Sequence, residues 1–311
     1  MLPDDVLLEI FDFYTSEREP ETWYPLVHVC QKWRNIVFNS PRRLSLRLVC
    51  KAETPMRETL DIWPPLPMII VWSEDHENLG VDNIVAALEH SDRICHLGLT
   101  FDVSSSKVLT AMQQPFPTLT HLVLIHSGKP WQEDETMVVP TSFLGGSAPD
   151  LQSLALAGIP FPGLPKLLLS ATHLHNLHLG QIPNSGYISP EEMVTCLSAL
   201  TRLKTLFIEF EGSRSNRDLN QRSPPQTRAL LPVLVALLFS GDSKYLEDLV
   251  ARIDAPLLKG LLIKLVPHQM FIAETSQLTE FICRTPKLKE HGEALGSLYQ
   301  EDRAGRIVVD I

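Results

Sequence analysis

One short hydrophobic phrase recurs through most of the chain and constrains its fold more than any other feature. The phrase reads aliphatic, two variable residues, aliphatic, one variable residue, then a third apolar residue. Successive copies start 28, 25, 32, 23, 29, 31 and 24 residues apart, a spacing typical of repeat units that stack and bury one continuous core. The eight copies start at Leu66, Ile94, Leu119, Leu151, Leu174, Leu203, Leu234 and Leu258.

The phrases predict strands, and the stretches between them predict helices. The last two apolar positions of each phrase are two residues apart, as in a strand with one buried face. The clearest helix start is Ser189-Pro190-Glu191-Glu192, with a capping serine and proline at the first helical position. Further helices are expected at 81–90, 107–112, 164–169, 245–253 and 277–283, and a closing strand at 306–311. This is the pattern of an α/β fold with a curved parallel sheet and helices on its convex side.

The N-terminal segment has a different pattern and is predicted to be helical. The first apolar series recurs at intervals of three and four residues and predicts one apolar helix face, formed by Val6, Leu7, Ile10, Phe11 and Tyr14. A second series runs from Leu26 to Val37 and ends before Ser40-Pro41. These two or three short helices are too few to bury a core of their own. The predicted domains are therefore a helical segment at 1–45 and a repeat region at 46–311.

The N-terminal segment resembles the F-box. The resemblance rests on "LPDDVLLEIFDFY" followed by "WYPLVHVCQKWRNIV", with Leu-Pro at the start and Cys-x-x-Trp-Arg in the second part. It implies docking onto the Skp-type adaptor and cullin scaffold of a cullin-RING ubiquitin ligase. The implied adaptor contacts are Leu2, Pro3, Ile10, Phe11, Leu26, Val29, Cys30 and Trp33. The alternative is an amphipathic helical cap on the following domain.

The repeats resemble the leucine-rich class. Leucine supplies 49 of the 311 residues, but none of the eight copies has the asparagine or cysteine of that class three residues after the phrase. An irregular solenoid is expected, because no asparagine ladder would satisfy the backbone groups of the turns. The whole layout, including "TPMRETLDIWPPLP", looks like the F-box proteins of mushroom-type fungi, and it implies a subunit that recruits an unknown protein substrate.

Composition and charge exclude several classes of function. The net charge of -10 does not favour nucleic acid or an anionic membrane, and the apolar stretches are too short or interrupted to span a bilayer. The start carries no cationic region before an apolar stretch, so no secretory signal is expected. Five separated cysteines without a C-x-x-C pair suggest a reduced protein of the cytosol or nucleus.

No motif of the chain predicts catalysis, a metal or another cofactor. His173, His175 and His178 lie in one phrase, but alternation along a strand directs them to different faces. Gly145-Gly146-Ser147-Ala148-Pro149 lacks the final glycine of a nucleophile elbow. The chain is therefore expected not to be an enzyme.

The outward positions of the phrases are the candidate target-binding residues. The residue between the second and third apolar positions is mostly apolar, from Ile70 in the first copy to Leu262 in the last, whereas the residue before the second is more polar. An apolar row beside a polar row is typical of a protein-binding site. Its alternative is a row covered by the C-terminal tail or by loops. The selected residues are His121, Val123, Asn176, His178, Thr205 and Phe207.

Two functions remain open at this point. The first is a substrate-recruiting ligase subunit, and the second is a repeat scaffold that binds a partner outside any ligase. Neither requires bond chemistry by the chain itself.

Overall fold

The chain folds into two compact units, residues 1–99 and 100–311. The computed structural model describes residues 2–16, 20–51, 54–73, 80–101, 106–126, 138–211, 228–265, 276–288, 299–301 and 307–310. Both units combine helices with parallel strands, which confirms the predicted α/β class. None of the helices in these ranges is long and apolar enough to cross a membrane. Two polar stretches, 127–140 and 211–228, are predicted to be loops. Residues 127–137 and 212–227 of these stretches lie outside the described ranges.

The first unit contains three N-terminal helices followed by strands that alternate with helices. Strand β1 pairs in parallel with β2, with Leu48 opposite Met68, and β2 is followed in the sheet by β3. The elements are α1 (Asp4–Ser16), α2 (Tyr24–Val29), α3 (Gln31–Asn39), β1 (Leu48–Cys50), α4 (Met56–Ile62), β2 (Met68–Ser73), α5 (Val81–Leu88) and β3 (Ile94–Phe101).

The second unit contains a longer sheet in the order β4-β5-β6-β7-β9-β11-β13-β12. The first six of these strands are parallel, β13 runs antiparallel to β11, and β8 and β10 form a separate parallel pair. The strands are β4 (His121–His126), β5 (Ser153–Ala157), β6 (Asn176–Ile182), β7 (Thr205–Phe210), β8 (Ala229–Leu230), β9 (Ala236–Gly241), β10 (Ile253–Asp254), β11 (Gly260–Leu265), β12 (Tyr299–Glu301) and β13 (Ile307–Asp310). The helices are α6 (Ser106–Ala111), α7 (Leu164–Ser170), α8 (Pro190–Ala199), α9 (Ser243–Ala251) and α10 (Ser276–Cys283).

The phrases form the core as predicted in seven of the eight copies. From the second copy to the eighth, all three apolar positions are buried, with exposures of 4% or less. The helices contribute the other side of this core through residues such as Leu167, Met193 and Leu249. The neighbouring strands pair without a register shift through the phrase itself, so Leu154, Leu177 and Leu206 lie side by side.

A repeated hydrogen-bond arrangement holds each strand of the second unit at its start. The Thr120 carbonyl accepts two consecutive N–H groups from the next repeat, those of Gln152 at 2.8 Å and Ser153 at 3.0 Å. Four more carbonyl groups each accept two consecutive N–H groups in the same way; they belong to Gln152, His175, Lys204 and Val235. This backbone ladder satisfies groups at the entry to the strands without an asparagine side chain.

The first copy of the phrase differs from its prediction by one residue. Val71 was expected inside and Met68 and Ile70 outside, but Val71 is 49% exposed whereas Met68 and Ile70 are fully buried. Trp72 is buried as well. Five consecutive residues here are apolar, so alternation alone does not reveal which face of β2 points inward.

Most predicted helices are confirmed, with two corrections. Ser189 caps α8 as predicted, because its hydroxyl accepts the Glu192 N–H at 3.2 Å. The helix expected to reach Ile253 ends at Ala251, and Ile253 begins β10 instead. The series from Leu26 to Val37 is broken at Cys30, whose extended backbone (φ −162°, ψ 167°) separates α2 from α3.

An aromatic cluster joins the N-terminal helices to the first strands. Trp63 lies 5.4 Å from Trp23 and stacks on Tyr24 at 5.7 Å, between ring centroids. Trp23 also donates from Nε1 to the Arg47 carbonyl at 3.0 Å, and the Tyr24 side chain is hydrogen-bonded to the Val49 backbone. These bonds cover the outer edge of β1, so residues 1–45 pack as one unit with the first strands.

The register of β2 predicts a large loss of stability on substitution at one position and a small loss at the next. Ile70→Ala should lower the free energy of unfolding by about 2–5 kcal/mol, because it leaves a cavity in the core. Val71→Ala should cost less than about 1 kcal/mol, since this side chain is half exposed. Urea denaturation followed by tryptophan fluorescence measures both, and four of the five tryptophans lie in the first unit. Equal losses at the two positions would contradict the register.

The surroundings of Tyr245 predict that its substitution by phenylalanine stabilises the second unit. Its ring packs 4.7 Å from Phe210 and 5.8 Å from Phe239, but its buried hydroxyl has no hydrogen-bond partner among the described residues. Burial raises the pKa of this hydroxyl well above its ordinary value. Tyr245→Phe should raise the free energy of unfolding by about 1 kcal/mol, because an unpaired buried donor is removed.

The control for this prediction is Tyr245→Ala, which also removes the ring and should cost about 3–5 kcal/mol. Denaturation followed by circular dichroism measures both variants. A loss of stability in Tyr245→Phe would show that the hydroxyl has a partner.

Candidate functional site

Two surfaces contain the predicted site residues, one in each unit. The first surface is on the N-terminal helices. Its predicted adaptor residues divide into two groups, because Phe11 and Leu26 are buried whereas Leu2, Ile10 and Val29 are 51%, 48% and 58% exposed. Pro3 and Cys30 are also exposed. Trp33 is partly exposed and packs edge-on against Phe11 at 4.8 Å. The buried pair lies in the interior of this unit and is not available for direct contact with a partner.

Helix α1 carries two apolar faces instead of the single face predicted from its periodicity. Leu7 and Phe11 point into the unit, whereas a second series remains exposed. We name the exposed series the α1 stripe; its members are Leu2, Val6, Ile10 and Phe13. Leu2 lies just before the helix, and at 100° per residue Val6, Ile10 and Phe13 fall within about 60° of one another around the helix axis. Phe13, at 76% exposure, was missed as a site residue, although its spacing of three from Ile10 was the available signal.

Polar contacts hold the N-terminal end of α1 against α3. Lys32 Nζ donates to the Leu2 carbonyl at 3.1 Å and forms an ion pair with Asp4 at 2.8 Å. Glu9 pairs with Arg43 further along the chain. The helix that carries the α1 stripe therefore packs inward through Leu7 and Phe11, and acidic residues lie beside the stripe.

The second surface is the outward face of the sheet in the second unit. Its inner row consists of Val123, Ala155, His178, Phe207, Leu238 and Leu262, which are adjacent across neighbouring strands. Its outer row consists of His121, Ser153, Asn176, Thr205, Ala236 and Gly260, adjacent in the same way. None of these side chains is buried. The pairing confirms that the selected residues share one face, and no described contact tests whether they bind a target.

His178 and Phe207 form the most distinctive contact on this face. Their rings stack with centroids 4.1 Å apart and planes at 16°. Gly180 leaves room for this arrangement, since a Cβ atom there would lie 3.1 Å from His178 Nε2. Desolvation lowers the pKa of His178, and the nearby Glu209 carboxylate acts in the opposite direction. The pair is a flat aromatic platform with one polar edge.

The three histidines in and just before β6 do not converge on one point. His173 Nδ1 lies 3.0 Å from the Pro149 carbonyl, whereas the His178 ring lies on Phe207. Within the described ranges, no group of three histidine, cysteine, aspartate or glutamate side chains has an arrangement suited to a metal ion.

No family model matches the chain, and no curated protein matches it.

The stacked pair predicts a measurable histidine titration. We expect the pKa of His178 to lie below the ordinary value of about 6.5, and Phe207→Ala to raise it, because the ring that excludes water is lost. Because the folded pKa is below the unfolded one, the wild-type chain should lose stability at His178 as the pH falls below about 6.5. NMR titration of the ring protons measures the pKa in both proteins.

Phe207→Tyr is the control, because it keeps the stacked ring and should leave the titration near that of the wild type. An unchanged pKa in Phe207→Ala would show that the ring contact is not the cause of the shift.

Proposed function

We propose that the protein is a substrate-recruiting F-box subunit of an SCF-type cullin-RING ubiquitin ligase. In this proposal helices α1 to α3 bind a Skp-type adaptor and thereby the cullin scaffold. The second unit is then an irregular leucine-rich-repeat solenoid whose outward face holds a protein target. None of the five cysteines, all of which lie in the described ranges, forms a disulfide, which fits a reducing compartment such as the cytosol or nucleus.

The α1 stripe is the observation that carries the proposal. Its four side chains are between 42% and 76% exposed, and three of them lie on a helix that packs inward through Leu7 and Phe11. Contiguous exposed apolar surface of this kind marks an association site, and burying each side chain fully is worth about 1.5–3 kcal/mol. An apolar helix face that enters a groove is also a common mode of peptide and helix recognition.

In this proposal the residues of the resemblance have different roles. Phe11, Leu26 and Trp33 hold the helices together, so they act on adaptor binding by positioning the surface. The exposed residues Leu2, Pro3, Ile10, Val29 and Cys30 are the ones that reach a partner. Val6 and Phe13 extend the contact beyond the residues of the motif.

The contribution of such a subunit to ubiquitin transfer is effective concentration. Binding the adaptor with one unit and a target with the other makes the meeting of target and ligase intramolecular. The chain itself forms and breaks no covalent bond in this process.

One observation favours the second candidate, a scaffold in which the N-terminal helices act as a cap. Trp23 and Tyr24 cover the outer edge of β1, which is the function of a terminal cap in a repeat protein. Deletion of residues 1–43 would uncover this edge and remove the ring partners of Trp63. It should destabilise the first unit under either function, so point substitutions on the α1 stripe are the discriminating test.

The adaptor proposal predicts a loss of binding without a loss of stability. Ile10→Glu and Val29→Glu, singly and together, should each weaken binding to a purified Skp-type adaptor about tenfold or more, equivalent to about 1.4 kcal/mol. The reason is that each introduces a charge into an apolar contact. Isothermal titration calorimetry measures the affinity, and urea denaturation should show an unchanged midpoint.

Leu169→Glu is the matched control, since Leu169 is 47% exposed on α7 in the other unit. It should bind the adaptor like the wild type. If the wild-type chain does not bind the adaptor, or if Ile10→Glu with Val29→Glu binds it unchanged, the ligase proposal fails and the scaffold remains.

A further inference from the structure

The turns that lead into the parallel strands of the second unit form a second, charged surface. Each turn has four residues: two turn residues, a buried leucine and one more residue before the strand begins. That last residue occupies equivalent positions in six turns. We name these positions the entry row; they are Thr120, Gln152, His175, Lys204, Val235 and Lys259.

Backbone hydrogen bonds fix the spacing of the entry row. Each member of the row after Thr120 donates its backbone N–H to the carbonyl oxygen of the preceding member, at 2.7–2.9 Å. Neighbouring members are therefore one strand spacing apart, about 4.8 Å, and Lys204 and Lys259 are separated by about 10 Å. The side chains of the row therefore project at regular intervals from a hydrogen-bonded backbone.

The charge of this edge is opposite to that of the chain as a whole. The six turns contain three cations, Arg202, Lys204 and Lys259, and one acid, Asp150, so their formal charge is +3 − 1 = +2 against -10 for the chain. All four of these residues are exposed. Among the described ion pairs, none involves Arg202, Lys204 or Lys259.

Lys204 and Arg202 also lie close enough to His175 to repel its charged form. After desolvation, the causes that lower the pKa of His175 are repulsion from Lys204, Arg202 and His173. Like charges are thus gathered at one edge of an acidic protein without a described counter-ion. Such an arrangement attracts an anionic partner.

We propose that the entry row binds an acidic segment of the protein target, rich in aspartate or glutamate, with an apolar side chain between the acidic ones. Val235 lies between Lys204 and Lys259 and is 39% exposed, which supplies the apolar contact. In an extended segment, side chains on one side recur about every 6.8 Å, and the long lysine side chains reach acidic groups at this spacing from backbone positions about 10 Å apart. The outer row begins one residue further along each strand, so the same segment reaches Asn176 and Thr205. This inference rests on the proposed function only for the statement that the segment belongs to a ligase target.

Two other anionic partners fit these features less well. Phosphoryl groups are typically bound by forked guanidinium groups, whereas the row has two lysines before separate strands and the six turns contain one arginine, Arg202. A long nucleic acid would be repelled by the net charge of -10. Separate carboxylates match separate ammonium groups.

The test is fluorescence anisotropy of the full chain with a labelled short peptide that alternates glutamate and alanine around one leucine. Lys204→Gln with Lys259→Gln should weaken its binding about tenfold or more and reduce the dependence of binding on salt. Lys166→Gln with Lys244→Gln is the control, because it removes two exposed lysines from α7 and α9 and should bind like the wild type. The same peptide with glutamine in place of glutamate should not bind.

The inference is overturned if the two double variants bind the acidic peptide equally. It is also overturned if that peptide does not bind while a serine-phosphorylated neutral peptide or a single-stranded oligonucleotide does. Adaptor binding by Lys204→Gln with Lys259→Gln should stay at the wild-type level. Failure of the peptide test and failure of the adaptor test therefore appear in separate measurements.

Discussion

The double hydrogen bond at the start of each strand is the interaction on which the second unit depends. One carbonyl accepts two successive N–H groups of the next repeat, and this occurs five times along the sheet. It fixes the register, so each leucine meets the leucines of its neighbours. Because adjacent side chains point to opposite faces, the same register aligns the outward positions into the inner and outer rows. The core and the candidate surface therefore have one cause.

The ends of a stack of parallel strands need protection, because an uncovered strand edge pairs with other chains. In the first unit the indole of Trp23 and the hydroxyl of Tyr24 bond to the backbone at the edge of β1. In the second unit β13 pairs antiparallel with β11. The covering of β1 by Trp23 and Tyr24 also explains why α1 can expose apolar residues. The start of α2 covers the strand, and α1 packs inward through Leu7 and Phe11. The side chains of the α1 stripe thus lie largely outside the core of this unit.

The sequence predicted the inward residues of the seven regular phrases correctly because the same spacing of apolar residues recurs in all of them. It failed for β2, where Met68, Ile69, Ile70, Val71 and Trp72 are all apolar and both registers look equally good. It also gave α1 a single face, because Val6, Leu7, Ile10 and Phe11 satisfy a helical period whichever of them points inward. The division at Cys30 had no signal, since the apolar spacing continues through it. In each of these cases periodicity identifies candidates, and packing selects among them.

The sequence by itself determined the α/β class, the positions of the regular strands and the inward direction of their leucines, because these follow from local period and hydrophobicity. The tertiary structure decided which residues are neighbours, because strand pairing joins positions that are 23–32 residues apart. Only that pairing sets His178 against Phe207 and gathers Lys204 and Lys259 with Val235 at one edge. It also decided which apolar residues of α1 stay exposed, because burial depends on where the aromatic cluster and α3 lie.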